Sequence, residues 1–250
     1  MRVAALYDIH GNLPALEAVL REVRAAGVDQ IVVGGDVLPG PLPLESLAAL
    51  RELEVPVLYL SGNGEREVLA AKEGVENGAL PEAVREVLRW SAGELDAGAE
   101  RWIAGWPQSV RLEIPPLGEV LFCHATPRSD TEIFTRRTPE VRLLPLFAGL
   151  GVGVSMVVCG HTHMPFDRAI GSVRVVNAGS VGMPFGEPGA DWLLLGPRIE
   201  PRRTRYDLAR AAERIRATPY PQAEDFAARS VLDPPSESEM LERFAAAEPR

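Results

Sequence analysis

All four histidines of the chain lie in short blocks that also carry Asp, Asn or Gly: Asp8-Ile9-His10, His124-Ala125-Thr126-Pro127 and Gly160-His161-Thr162-His163. Gly35-Asp36 and Gly62-Asn63 fall between the first and second of these, so the order is D-x-H, GD, GN, H, G-H-x-H. Imidazole and carboxylate are the ligands of divalent transition metals, and the seven side chains Asp8, His10, Asp36, Asn63, His124, His161 and His163 are too many for one ion. The set predicts two metals sharing a carboxylate. Asp36 is the candidate bridge, because Gly34-Gly35 before it leaves no side chain to obstruct two ions. The neutral amide oxygen of Asn63 limits the negative charge and leaves the cations able to attract a phosphate. Water held by such a pair, with the ions roughly 3.5 to 4 Å apart, becomes hydroxide near neutral pH and attacks a phosphoryl centre. Asp36, Asn63 and His124 are the residues placed closest to that step.

These groups must be carried to one point by the elements around them. Arg2 to Tyr7 reads as a buried strand, and Leu13, Leu16, Val19, Leu20 and Val23 keep helical spacing between Pro14 and Gly27. Gln30 to Val33 is the next strand, Leu44 to Leu53 an amphipathic helix and Val55 to Leu60 a third strand. This alternation predicts a parallel sheet with Asp8, Asp36 and Asn63 just past the carboxyl ends of its strands, where ligands bind in such sheets. Helical patterns follow over Glu82 to Trp90 and Glu94 to Trp106, ended by Pro107.

The second half is richer in strands. Val110 to Ile114 and Glu119 to Cys123 form a predicted hairpin, Val154 to Cys159 is a buried strand, and Arg168 to Ile170 pairs with Val173 to Asn177 around Gly171-Ser172. Trp192 to Leu195 and Arg198 to Tyr206 complete two sheets packed face to face with helices outside. Residues 207–250 are expected to form a packed tail of two helices on the same domain, with no chemistry of its own. Ser236-x-x-Glu239 reads as a capping box for the second of them.

Length and charge narrow the function classes. The 250 residues suffice for one well-buried domain, and a net charge of −9 argues against holding nucleic acid by general phosphate attraction. Met1 leads directly into an apolar strand without a charged leader, and no apolar run reaches membrane-spanning length, so a cytoplasmic protein with no membrane association is expected. Cys123 and Cys159 are expected to be small core residues in a reducing compartment. Homo-oligomerisation is left open.

Taken together, Asp8-Ile9-His10-Gly11-Asn12, Gly35-Asp36, Gly62-Asn63, His124 with Thr126-Pro127, Gly160-His161-Thr162-His163 and Asn177-Ala178-Gly179-Ser180-Val181-Gly182 resemble the calcineurin-like metallophosphoesterases, more narrowly their small bacterial phosphodiesterase-type branch. The resemblance spans residues 1–206 and implies a four-layer α/β/β/α sandwich. It also implies one metal (Mn, Fe, Zn, Ni or Co) held by Asp8, His10, Asp36 and His163, and a second held by Asp36, Asn63, His124 and His161. The implied partner is a small phosphate-ester substrate. Many members carry a histidine directly after the Asn, acting on the leaving group, whereas this chain reads Asn63-Gly64-Glu65. Glu65 is expected to be placed so that a histidine introduced at position 64 would be oriented by it. Asn12, Gly64, Glu65, Arg66 and Arg128 are the candidate substrate contacts, with Arg136 a further cation in reach of phosphate.

Three other readings compete with a diesterase. Ala178-Gly179-Ser180-Val181-Gly182 loosely resembles a serine-hydrolase nucleophile elbow, but that class places its histidine after the serine and none follows His163. A non-catalytic scaffold of the same fold would have lost ligands that are all present here. A phosphomonoesterase or protein phosphatase would use the same site.

Overall fold

Two layers of apolar side chains leave the first strand in opposite directions. In β1 (Val3–Leu6), Val3 and Ala5, with Tyr7 beyond them, enter one buried cluster while Ala4 and Leu6 enter another. That is the period-2 pattern of a strand covered on both faces. The computed structural model describes residues 1–151 and 153–248.

The first half alternates as its sequence predicts: α1 (Leu13–Ala26), β2 (Gln30–Val33), α2 (Pro43–Arg51) and β3 (Val57–Tyr59) follow β1. Asn12 caps α1 by accepting a hydrogen bond from the Ala15 N–H at 3.2 Å, and Gly27 ends it in the left-handed conformation at φ 61°. Then come α3 (Asn63–Lys72), α4 (Glu82–Glu94) and α5 (Ala97–Ala104). The last begins three residues later than its pattern suggests, because Asp96 caps it, accepting from the N–H groups of Gly98 and Ala99 at 2.7 Å.

The second half contains β4 (Ser109–Ile114), β5 (Gly118–Cys123), the short α6 (Glu140–Leu143), β6 (Val154–Cys159), β7 (Phe166–Ile170), β8 (Val173–Asn177), β9 (Ala190–Leu195) and β10 (Ile199–Thr204). The strands form two five-stranded mixed sheets, ordered β10-β9-β1-β2-β3 and β4-β5-β6-β8-β7. Val120, Phe122, Met156 and Val158 of the second sheet meet Val3, Ala5 and Tyr7 of the first in the layer between them. The outer face of the first sheet packs on α1 to α5, and that of the second packs Leu121, Cys123, Val157 and Cys159 on the segment from Phe134 to Leu150. This is the α/β/β/α sandwich, with a thin fourth layer built around α6. Both cysteines are buried and free. No helix among the described residues is long and apolar enough to cross a membrane.

The tail holds more structure than its pattern suggests. Between α7 (Leu208–Arg216) and α9 (Glu237–Ala245) lie α8 (Ala223–Phe226) and a wide π-type turn over Ala227–Leu232. Such wide turns break the 3.6 periodicity, so the segment gives no helical signal in the sequence. Ser236 caps α9 by accepting from the Glu239 N–H at 3.2 Å. Arg214 pairs with Glu17 of α1 at 2.9 Å, and Gln222 donates to the Ala83 carbonyl at 2.7 Å. Tail residues 249 and 250 lie outside the described residues.

Candidate metal centre

The seven expected ligands stand at the carboxyl ends of strands: Asp8 and His10 after β1, Asp36 after β2, Asn63 after β3, His124 after β5, His161 and His163 after β6. Five of them, Asp8, His10, Asp36, His161 and His163, have φ between 47° and 66°, and they are the five non-glycine residues of positive φ among the described residues. A left-handed residue turns the chain sharply at the strand end and costs an L-residue about 1–3 kcal/mol. The fold spends that strain where the ligands converge.

The converging loops are tied by their backbones. His10 N–H donates to the Asp36 carbonyl at 2.9 Å, Gly160 N–H to that of His124 at 2.8 Å, and Gly182 N–H to that of Asp8 at 2.9 Å. Gly35 permits the approach, since a Cβ there would lie 2.5 Å from the Gly62 nitrogen and 2.9 Å from His124 Nδ1.

Two groups result. Ligand atoms of Asp8, His10 and His163 lie within 4.8 Å of one another, and so do those of Asp36, His124 and His161. Asp36 reaches both groups, with Oδ2 3.7 Å from His10 Nε2 and Oδ1 3.5 Å from His124 Nε2. Burial opposes charge on Asp36, yet His124 and then His10 hold its carboxyl well below the usual range. Burial also opposes charge on His124, but Asp36 beside it raises the imidazole to about 10. Burial, reinforced by the charge of His124, takes His161 down to about 4.

The donor set fits cations. Asp8 Oδ1 is buried without a hydrogen-bond partner. His124 Nδ1 faces the Gly34 carbonyl at 3.0 Å and His163 Nδ1 that of Met183 at 2.8 Å, which fixes a proton on each Nδ1, so that a cation displacing the second proton would meet an Nε2 lone pair directed inward. Asn63 sits with Oδ1 3.1 Å from His124 Nε2, acceptor against acceptor when that imidazole is neutral. Its reversed amide would donate to His124 and His161, but the oxygen-inward orientation is the one a metal would select. Phe185 stacks on the His163 ring at 5.5 Å and touches Phe244 of α9, a support that no spacing in the sequence announces.

The expected substrate contacts fare differently. Gly64 lines the cavity beside the ligands. Glu65 does not: it is fully buried, Oε2 accepts from the N–H groups of Asp36 and Gly62 at 2.8 Å, and Oε1 accepts from that of Leu38 at 3.0 Å. Its acceptor capacity is engaged by backbone, so it pins the loops rather than orienting an imidazole or a substrate. Nor can position 64 take a histidine, because a Cβ there would lie 2.0 Å from the Leu38 carbonyl oxygen. The missing imidazole follows from the path of the Leu38 backbone. Asn12 is also buried, donating to the Gly182 carbonyl at 2.8 Å while capping α1. Arg66 pairs with Asp130 at 2.7 Å, Arg128 with Glu132 at 2.9 Å and Arg136 with Glu237, and none of the three lines the cavity. The loop from Asn177 to Gly182 braces the ligands from behind, Ser180 Oγ donating to the Asp8 carbonyl at 2.7 Å.

The cavity over the ligands measures about 430 Å³, at the lower end of the ~300–1,000 Å³ usual for small-molecule sites. Part of its wall comes from the tail, through Tyr220, Gln222, Asp225, Phe226 and Ser230. The tail therefore lines the cavity, although none of the candidate ligands comes from it.

Comparison with known proteins agrees with this geometry. The calcineurin-like phosphoesterase superfamily domain matches residues 1–195. An uncharacterized protein of Methanocaldococcus jannaschii is 27% identical over 233 residues, covering 85% of this chain and 91% of that one. A hypothetical protein of Pyrococcus horikoshii OT3 shares the fold at a TM-score of 0.75 and 20% identity, over 90% of this chain and 97% of that one. A metallophosphoesterase from Sphaerobacter thermophilus aligns at a TM-score of 0.68 and 25% identity, over 91% and 99% of the two chains. With its ligand order, its sandwich and a domain match over most of its length, the chain belongs to the calcineurin-like phosphoesterase superfamily, whose members use divalent metals.

Proposed function

We propose that the chain hydrolyses small phosphodiesters at two divalent cations bridged by Asp36. The observation that carries this reading is the division of the Asp36 carboxylate, one oxygen towards His10 and the other towards His124. Bound there, divalent cations would acidify water and neutralise charge on the phosphoryl group. The Gly64 N–H donates to Asp36 Oδ1 at 2.7 Å, and Glu65 holds the Asp36 N–H, so the bridging carboxylate is fixed from two sides. Asn63 lines the cavity where the ester would meet the metals, whereas His124 is buried behind it and, contrary to the expectation, would act only as a ligand. The mixed nitrogen and oxygen donors suit Mn, Fe, Zn, Ni or Co.

Diesters are favoured over monoesters and phosphoproteins by charge. Among the described residues lining the cavity none is Lys or Arg, so a second negative charge on the ligand would find no side-chain cation. The test pairs elemental analysis of the purified protein with a panel of mono- and diesters before and after chelation. Metal-dependent turnover with diesters preferred is the expected result. A metal-loaded, folded protein inert on the whole panel would instead favour the scaffold reading, and a preference for monoesters the phosphatase one.

A further inference from the structure

The cavity has two unlike ends. One is the ligand cluster, and the other is a largely apolar annex running from α4 to the tail, with Leu80, Val84, Val87, Leu88 and Phe226 on its walls beside the neutral polar Asn77, Gln222 and Ser230. Val87 and Phe226 are buried in one cluster with Tyr220, so the annex is a preformed wall rather than a loose loop. The charged side chains that line the cavity away from the ligands are Glu67 and Asp225, both acidic. An anionic arm on the substrate would therefore meet repulsion and no compensating cation, while an apolar arm would bury surface against aliphatic and aromatic walls. We infer that the annex is the specificity pocket for one ester arm of the substrate, and that this arm is an uncharged apolar or aromatic alcohol. Nucleoside polyphosphates and sugar phosphates with a second anionic group are excluded by the same walls.

This assignment rests on the phosphodiesterase reading, so the experiment separates the two. The metal-loaded enzyme is given p-nitrophenyl phosphodiesters whose second arm is benzyl, methyl or 2-carboxyethyl, which share one leaving group. A hydrophobic pocket typically discriminates by about 10- to 200-fold per group it accommodates. The benzyl ester is expected to exceed the methyl ester at least about 10-fold in kcat/KM, and the carboxyethyl ester to fall below both. Val84 is 39% exposed on α4, so Val84→Asp can be made without disturbing the core, and it is expected to collapse the benzyl-to-methyl ratio. Val84→Thr, nearly isosteric, should reduce that ratio less. Calorimetric binding of diphenyl against dimethyl phosphate reads the same preference without turnover. Equal kcat/KM for the three arms, or a ratio unmoved in Val84→Asp, would overturn the assignment while leaving the phosphodiesterase intact. No turnover of any ester by folded, metal-loaded protein would remove the diesterase reading itself, and the pocket assignment with it.

Discussion

The Nε2 atoms of His10 and His163 face each other across 3.3 Å, while their Nδ1 atoms turn to the carbonyls of Pro39 and Met183 at 3.3 and 2.8 Å. Once both Nδ1 positions carry protons, two lone pairs point at one another, and only a cation or an added proton relieves them. Metal binding should therefore stabilise the fold. At a free metal concentration 100 times the dissociation constant the gain is about 2.7 kcal/mol. Thermal unfolding with and without chelator reads it directly; equal melting temperatures would count against these ligands.

Asp36→Asn should abolish most hydrolysis and lower metal content at both positions, since one carboxylate serves two groups. The variant keeps a residue type that tolerates the left-handed backbone found there, φ 53°. Loss of activity should thus come with little loss of secondary structure. Elemental analysis showing the wild-type metal content would contradict the bridge.

Glu65→Gln should destabilise the protein by about 1–3 kcal/mol, because an NH₂ group would replace an acceptor facing a buried backbone N–H. The loops of Asp36 and Gly62 are what the carboxylate holds. The measurement is chemical denaturation, with metal affinity as a second readout. A surface-like change of a few tenths of a kcal/mol would show that the three contacts do not act together.

His161 has φ 66°, so two substitutions that remove the same ligand should differ in stability. His161→Gly is expected to be more stable than His161→Ala by roughly 1 kcal/mol, both having lost metal and rate alike. Denaturation of the two metal-free variants decides it. If alanine proves equal or better, the left-handed turn is not enforced by the fold.

Gly64→Ala should already disturb the loop, and Gly64→His should not recover any acid catalysis. The Leu38 carbonyl occupies the space a Cβ needs. A folded Gly64→His variant with improved turnover of esters bearing poor leaving groups would show that the Leu38 segment can move aside.

The candidate ligand set was legible because it is chemical: Asp8, His10, Asp36, Asn63, His124, His161 and His163 are metal-binding residue types in short blocks, and each block follows an apolar strand. β2 and β6 keep the bounds read from the sequence, Gln30–Val33 and Val154–Cys159. What the chain does not announce is contact between distant segments. Glu65 gathers N–H groups from Asp36, Leu38 and Gly62, and nothing in its neighbourhood distinguishes that from a substrate contact. The ion pair of Arg128 with Glu132, four residues away, was readable and argues for an ordinary surface arginine. Tyr220 and Phe226 reach the cavity only through the packing of the tail, and the wide turn after Phe226 hides even the short helix that Phe226 ends.

The wall that the tail contributes has an evolutionary consequence. Residues 1–195 carry the family match and every ligand, whereas Tyr220, Gln222, Asp225, Phe226 and Ser230 come from beyond it. The proposed ester pocket thus joins α4, inside the family domain, to a tail outside it. Substitutions in the tail can therefore reshape the cavity while the loops of the candidate ligands, whose left-handed turns tolerate little change, stay as they are.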